Sequence, residues 1–120
     1  MIVMDRVRAA ERRLATSIKV NKITMLAAAD ELQAATMDAT SWLTAHPCPE
    51  GRFRAQVAWV LNSCGEAALT AQRAATDPLA YTQETIVRVQ GLLAAVDYHS
   101  TSWVGRTEEA TAYCRMPDEP

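Results

Sequence analysis

The side chains best suited to chemistry in this sequence are its histidines and cysteines. His46 and Cys48 are close together in the chain, and His99 is far from both. Imidazole and thiolate groups bind zinc and other transition metals. However, the spacings usual for metal ligands, His-x-x-His, Glu-x-x-His and Cys-x-x-Cys, do not occur. The sequence therefore predicts no metal and no other cofactor.

The three cysteines have separate interpretations. Cys48 precedes a proline, as does the axial thiolate of some haem-responsive proteins, but a turn and a helix start already explain the prolines here. Cys64 falls among regularly spaced apolar residues and is predicted to pack in the core rather than to act as a nucleophile. With Cys114 the cysteines form an odd, irregular set, which indicates reduced thiols and no disulfide framework.

Other catalytic patterns are also missing from the sequence. The carboxylates of Asp30-Glu31 and Glu108-Glu109 are adjacent in the chain, so they diverge around a helix instead of converging on a substrate. The sequence has no glycine-rich phosphate loop and no nucleophile elbow. We therefore expect a protein that is not an enzyme.

Positive charge is concentrated at the start of the chain. Residues 1–22 carry a net charge of +4, although the whole chain carries −2. The predicted basic surface consists of Arg6, Arg8, Arg12, Arg13, Lys19 and Lys22. Its arginines are spread around the helix and no aromatic residues are interleaved with them, so a solvated face or an acidic protein partner is favoured over nucleic acid.

The elements that position these residues are predicted to be helices. Apolar residues recur at alternating steps of three and four in four stretches, as in amphipathic helices that pack in bundles. We predict a basic helix from about Met4 to Ser17 and a second helix from Ile23 to Ala45. Asn21 either caps the second helix after a turn, or the two form one long helix.

Prolines mark the remaining boundaries. The segment from His46 to Gly51 contains two prolines and predicts a turn, with a third helix starting near Pro49. A fourth helix is expected to start at once after Asp77 as N-cap and Pro78 as first residue. Its apolar stripe is predicted to consist of Leu79, Thr82, Ile86, Val89, Leu93, Val96, Ser100 and Trp103. The fold class is thus all-α, an up-and-down antiparallel bundle of three long helices plus a shorter basic N-terminal helix.

Helix lengths and turn positions then predict which residues share an end of the bundle. Because short turns join antiparallel helices, residues equally far before and after a turn should lie at the same level of the bundle. Counting from the two proline-marked turns in this way places aromatic, histidine and cysteine side chains at one end, which we call the pole. This candidate interaction or ligand pole consists of Trp42, His46, Cys48, Phe53, His99 and Trp103. Trp59 lies off the apolar stripe of its helix and is the candidate interface residue. The turns near Asn21 and Asp77 share the opposite, basic end.

The composition limits which classes of protein this chain can belong to. The chain has 120 residues, of which 49 % are hydrophobic and 22 % charged, as expected for one globular domain over 1–120 with a frayed tail at 116–120. Twenty-two residues are alanine, which favours close helix packing over bulky side chains. No apolar run is long enough for a transmembrane helix, and residues 1–6 do not resemble a signal peptide, so a cytoplasmic location is expected.

One family resemblance follows from three parts of the sequence. They are the run KITMLAAADELQAATMDATSWL at Lys22–Leu43, the alanine-rich middle, and Leu92–Ala110 with its tyrosine, Trp-Val-Gly and acidic residues. Together they resemble the small helical WXG-type secretion substrates of actinobacteria. The resemblance implies a helical hairpin that pairs with a partner and is exported by a type VII system without a cleaved signal. The sequence departs from that family in its central turn, HPCPEG, and in lacking the Tyr-x-x-x-Asp/Glu signal after Tyr113.

These observations predict a helical bundle that acts through protein–protein interaction, with another protein or a second copy of itself as partner. A partner chain would close an alanine-lined stripe or the face that carries Trp59. One alternative is a bundle that binds a small ligand, metal or haem at the predicted pole. Another is a type VII secreted protein, located outside the cell.

Overall fold

The computed structural model describes residues 3–46 and 51–104, with side chains at 4–46 and 55–99. These ranges contain four helices, α1 (Val3–Ser17), α2 (Lys22–Ala45), α3 (Gly51–Thr76) and α4 (Gln83–Val104), and no strand. The all-α prediction is confirmed for this part of the chain. Within it, no helix combines the length and the apolar character needed to cross a membrane. The predicted turn residues at 47–50 and the predicted frayed tail at 116–120 lie outside the described residues.

A turn separates α1 from α2, which was one of the two alternatives predicted from the sequence. The backbone of Asn21 is extended, with φ −167°, and its side-chain oxygen accepts a hydrogen bond from the Thr24 backbone N–H. The donor and acceptor lie 2.8 Å apart. This bond satisfies an amide that the first helical turn leaves without a partner, so Asn21 is the N-cap that separates two helices.

The start of α4 differs from the prediction. The helix begins at Gln83, not directly after Pro78. The carboxylate of Asp77 accepts a hydrogen bond from the Leu79 amide, two residues on, at 3.0 Å, and this closes a local turn instead of capping a helix. Thr82 caps α4 in its place, since its hydroxyl accepts from the Thr85 amide at 3.1 Å. Leu79, predicted to lie on the apolar stripe, is 89 % exposed.

The core is built mainly from the predicted stripes. On α1, α2 and α3 the stripe residues with described side chains are buried, apart from Leu43, which is partly buried. On α4 burial begins at Ile86, which is partly buried, and continues through Val89, Leu93 and Val96. Many of the buried residues on α2 and α3 are alanines, namely Ala28, Ala29, Ala35, Ala39, Ala67, Ala68, Ala71 and Ala74. The alanine-lined stripes are therefore closed within the chain.

Each helix packs on its neighbours in the sequence. Helix α1 contacts α2, α2 contacts α3, and α3 contacts α4 extensively, whereas α1 and α4 meet at far fewer positions. The α1–α4 contact joins the ends of the chain of helices and closes the arrangement. Because this last contact is sparse, a groove remains between α1 and α4.

Candidate functional site

The two histidines lie in different aromatic contacts. The His46 ring stacks on Trp42 with 4.4 Å between ring centroids and 16° between planes. The His99 ring lies edge-on to Trp59, with centroids 4.6 Å apart. Among the described side chains no group of three or more His, Cys, Asp or Glu residues is arranged to hold a metal ion.

The predicted ligand pole is only partly within the described side chains. Trp42, His46 and His99 have the contacts given above. Cys48 lies outside the described residues, and for Phe53 and Trp103 the structure describes the backbone but not the side chain. The gathering of all six residues at one end of the bundle stays a prediction.

Cys64 is a core residue, as predicted. Its side chain is fully buried on α3. Burial, helped by the nearby Glu11 carboxylate, raises the pKa of the thiol from 9.0 to about 12. A thiol with so small a thiolate fraction at neutral pH is a poor nucleophile, so this cysteine serves packing.

The arginines of α1 are ion-paired within the chain. Arg6 pairs with Asp38 and Arg13 with Glu31, both on α2. On the side of α1 that faces α4, Arg8 and Arg12 both contact the Asp97 carboxylate, at 3.3 Å and 3.7 Å. Opposite faces of α1 thus contact different helices. The positive charges of these four arginines neutralise carboxylates of the same chain.

Glu11 is the residue that the sequence interpretation missed. Its side chain is buried between α1 and its neighbours, and the residue is only 1 % exposed. The guanidinium of Arg8 lies 3.5 Å from Oε1. Nevertheless, Oε1 accepts no hydrogen bond from the part of the chain that the structure describes. A buried carboxylate oxygen without a hydrogen bond is costly, and the nearby Arg8 guanidinium offsets part of that cost.

The pKa of Glu11 reflects this burial. Loss of hydration raises the pKa from 4.5 to about 7, and Asp97 raises it too, whereas Arg8 and Arg12 lower it. The group therefore changes charge near neutral pH. A signal for its burial exists in the sequence, because Glu11 stands four residues after Val7 and three before Leu14, in the rhythm of the apolar stripe.

The groove between α1 and α4 is about 640 Å³ in volume, within the range of small-molecule sites. Glu11 and Asp97 lie at one end of it, next to Arg12. Ala15, Leu93 and Ala94 form the walls, and Thr16, Lys19 and Gln90 follow toward the other end. The groove thus has charged residues at both ends and apolar side chains between them.

A second surface lies where two connections meet. Lys22 at the start of α2 places its ammonium 4.3 Å from the ring centroid of Tyr81, which lies in the segment before α4. Four apolar side chains on or beside these two segments are exposed: Val20 by 62 %, Ile23 by 83 %, Leu79 by 89 % and Tyr81 by 37 %. We call these four residues the turn-end surface. Single exposed apolar residues are common, but a cluster is typical of an interaction site.

A third surface surrounds the predicted interface residue. Trp59 is 41 % exposed and Tyr98 is 73 % exposed. The His99 ring contacts both of them edge-on. A depression of about 360 Å³ lies against Ala55, Gln56, Trp59 and His99. We call Trp59, Tyr98 and His99 the Trp59 face.

Comparison of the chain with protein-family models, with curated proteins and with solved structures gives no match. The resemblance to WXG-type proteins therefore gains no support from a relative. The function is argued below from the surfaces of this chain alone.

Proposed function

We propose that this chain is a non-enzymatic protein-interaction module that pairs with a second copy of itself through the turn-end surface. The observation that carries the proposal is the exposure of Ile23 and Leu79, at 83 % and 89 %. They lie in the first turn of α2 and in the segment before α4, and these two segments contact each other through Lys22 and Tyr81. Burying such side chains against a partner removes apolar area from water.

The proposal includes an up-and-down antiparallel course of the helices. The ion pairs between α1 and α2 support an antiparallel course, because Arg6 pairs with Asp38 whereas the later residue Arg13 pairs with the earlier residue Glu31. The contacts between α3 and α4 run in the same opposite order, from Trp59 with His99 to Glu66 with Arg88. Such a course places the α1–α2 turn and the α3–α4 connection at one end.

A second copy is favoured as the partner by the charges around the turn-end surface. Lys22 begins α2 and Arg73 lies in the last turn of α3. Asp77 follows α3 directly and Glu84 lies in the first turn of α4. A surface that carries both signs of charge around an apolar centre is complementary to itself in a two-fold pairing.

The Trp59 face is the competing surface for the same function. Large aromatic side chains are frequent in the energetically important parts of interfaces. We assign it the second place, because Trp59 and Tyr98 already contact the His99 ring within the chain.

The test is the mass of the protein in solution over a range of concentrations, by light scattering coupled to size exclusion. Because the surface is small, we expect a dimer with a dissociation constant of micromolar order, about −8 kcal/mol. The double variant Ile23→Glu/Leu79→Glu should remain monomeric at every concentration. The matched control Met37→Glu/Val87→Glu changes residues that are 62 % and 53 % exposed on helix surfaces elsewhere and should dimerise as the unmodified chain does.

Three results contradict the proposal. One is a monomer at all concentrations of the unmodified chain. Another is a dimer that survives Ile23→Glu/Leu79→Glu. The third is a dimer that Trp59→Ala/Tyr98→Ala dissociates while the turn-end variant leaves it intact, which would assign the contact to the Trp59 face.

A further inference from the structure

Glu11 is a buried carboxyl group in the contact between α1 and α4. The residue is 1 % exposed, and its Oε1 atom accepts no hydrogen bond from the part of the chain that the structure describes. Its counter-charge is the Arg8 guanidinium, whose Nη1 atom lies 3.5 Å from Oε1. A buried carboxylate needs hydrogen bonds as well as a counter-charge. The closed contact therefore suits the neutral, protonated form of Glu11 better than the ionised form.

Arg8 is shared between Glu11 and helix α4. Its Nη1 atom donates a hydrogen bond to the backbone oxygen of Asp97 at 3.3 Å, and its Nη2 atom lies 3.3 Å from the Asp97 carboxylate. Both distances are already long for such contacts. An ionised Glu11 attracts the guanidinium toward Oε1 and so weakens its contacts with Asp97. Ionisation of Glu11 and the contact with α4 thus compete for the same group.

The other charged and titratable groups around Glu11 do not offset this competition. Arg12 on α1 has a 65 % exposed side chain and contacts Asp97 at 3.7 Å. Asp97 on α4 has the same sign of charge as an ionised Glu11, and on α3 the Cys64 thiol is buried nearby. Burial outweighs both arginines and raises the pKa of Glu11 from 4.5 to about 7. The charged groups between α1 and α2 lie on the opposite face of α1 and are Arg6, Arg13, Glu31 and Asp38.

We propose that the α1–α4 contact is pH-sensitive: it is closed when Glu11 is protonated and is released at Asp97 when Glu11 is ionised. This contact is much smaller than the contacts of α2 with α1 and with α3. Separation of α1 from α4 at this end lets water hydrate the Glu11 carboxylate, while the larger contacts keep the rest of the bundle packed. The release needs no partner chain, so it is independent of pairing through the turn-end surface.

The test measures the distance between α1 and α4 with two spin labels and pulsed electron paramagnetic resonance. The labels are attached to the full chain carrying Ala9→Cys and Gly91→Cys in a Cys48→Ser/Cys114→Ser background. Ala9 is exposed, and a side chain at Gly91 would begin in open space. Cys64 stays unlabelled because it is buried. Labelled protein is diluted with unlabelled chain so that distances between two copies do not contribute.

We expect mainly a short distance at about pH 5.5 and a second, longer distance at about pH 8. With a Glu11 pKa of about 7 in the closed state and 4.5 in the released state, the ratio of the longer to the shorter distance should rise about twentyfold between these pH values. Closure due to protonated Glu11 is fully present below pH 4.5 and is lost as the pH rises through 7. A control pair, Ala34→Cys on α2 with Asn62→Cys on α3, should keep one distance throughout.

Variants assign the pH dependence to Glu11 and Asp97. Glu11→Gln preserves the size of the side chain and removes the titrating group, so the short distance should persist at about pH 8. Asp97→Asn removes the carboxylate that contacts Arg8 and also a charge that raises the pKa of Glu11. The longer distance should then be present already at about pH 5.5 and should change less with pH. The matched control Glu66→Gln breaks an ion pair between α3 and α4 and should leave the pH response unchanged.

Four results overturn the proposal. They are a distance between α1 and α4 that does not change with pH, a change that persists in Glu11→Gln, an equal change at the α2–α3 control pair, and a pH response that Asp97→Asn leaves unaltered. Circular dichroism of each variant checks that it is folded. The Asp97 side chain is 53 % exposed, so its variant keeps the test decisive even if Glu11→Gln changes the fold.

Discussion

Helices α2 and α3 pack extensively and bury many alanines, whereas α1 and α4 meet at few positions and leave a groove. Polar contacts accompany both pairs. Between α2 and α3, Gln72 donates a hydrogen bond to Asp30 at 2.8 Å at the exposed edge. Between α1 and α4, the polar groups include Glu11, which is buried. In the first pair polar groups border a closed interface, and in the second a carboxyl group lies inside the interface.

The difference shows which helix pair contains a group that lowers the stability of the fold. Small side chains allow two helices to approach closely, and the apolar core then closes without voids. A carboxyl group in the same layer is costly to bury unless it is paired, and at Glu11 the pairing group is the Arg8 guanidinium, 3.5 Å away.

The largest expected effect concerns the access of a reagent to a thiol in the buried core compared with a thiol on the exposed wall of the groove. In a Cys48→Ser/Cys114→Ser background, Cys64 is the remaining thiol and should react with iodoacetamide extremely slowly. A pKa of about 12 instead of 9.0 lowers its thiolate fraction at neutral pH about a thousandfold, and burial hinders the reagent as well. Mass spectrometry over time measures the rate. A variant with Cys64→Ser and Ala94→Cys, which moves the thiol into the groove, should react rapidly; equal rates would contradict the contrast between the two regions.

The next effect concerns the pH dependence of stability. The pKa of Glu11 is about 7 in the folded chain and 4.5 in the reference state. The folded state therefore holds a proton that the unfolded state releases, so the contribution of Glu11 to stability is fully present below pH 4.5 and is lost as the pH rises through 7. A shift of this size corresponds to about 3 kcal/mol.

Urea denaturation at several pH values checks this prediction, with Glu11→Gln as the reference that removes the titrating group. The difference in unfolding free energy between the two proteins should change mainly between pH 4.5 and 7 and should level off above about pH 8. A difference that stays constant with pH would show that Glu11 is not buried as described.

Much of the fold follows from the spacing of apolar residues, because burial on one face imposes a helical period on the sequence. Val57, Val60 and Cys64 illustrate this on α3, where each lies on the predicted stripe and is buried. The start of α4 could not be obtained in this way. At Asp77 the choice between capping a helix and closing a turn depends on one hydrogen bond, and both choices use the same Asp-Pro sequence.

The candidate groove was harder to predict than the fold. A charged residue near an apolar stripe is usually on the border of the helix face and hydrated. Whether Glu11 is buried depends on how closely α4 approaches α1, which is a property of the whole bundle. The partners of Arg8 and Arg12 show the same limit, since Asp97 lies far away in the chain and only the fold brings it to them.

A smaller effect is expected from overfilling the closed pair. Ala71 on α3 is fully buried among the alanines of the core. Ala71→Leu adds volume that the surrounding helices can accommodate only by moving apart, which should lower the unfolding free energy by about 2 kcal/mol. Urea denaturation measures the change. An unchanged stability would mean that the core beside α3 contains unoccupied space.

The smallest change in stability is expected from the same substitution in the groove. Ala94 is exposed and lines one wall, so Ala94→Leu extends into open volume and should alter the unfolding free energy by less than about 0.5 kcal/mol. A loss of stability near that of Ala71→Leu would mean that α1 and α4 close on each other in solution. In that case the two helix pairs would be equivalent, and the contrast between a closed interface and an open groove would be wrong.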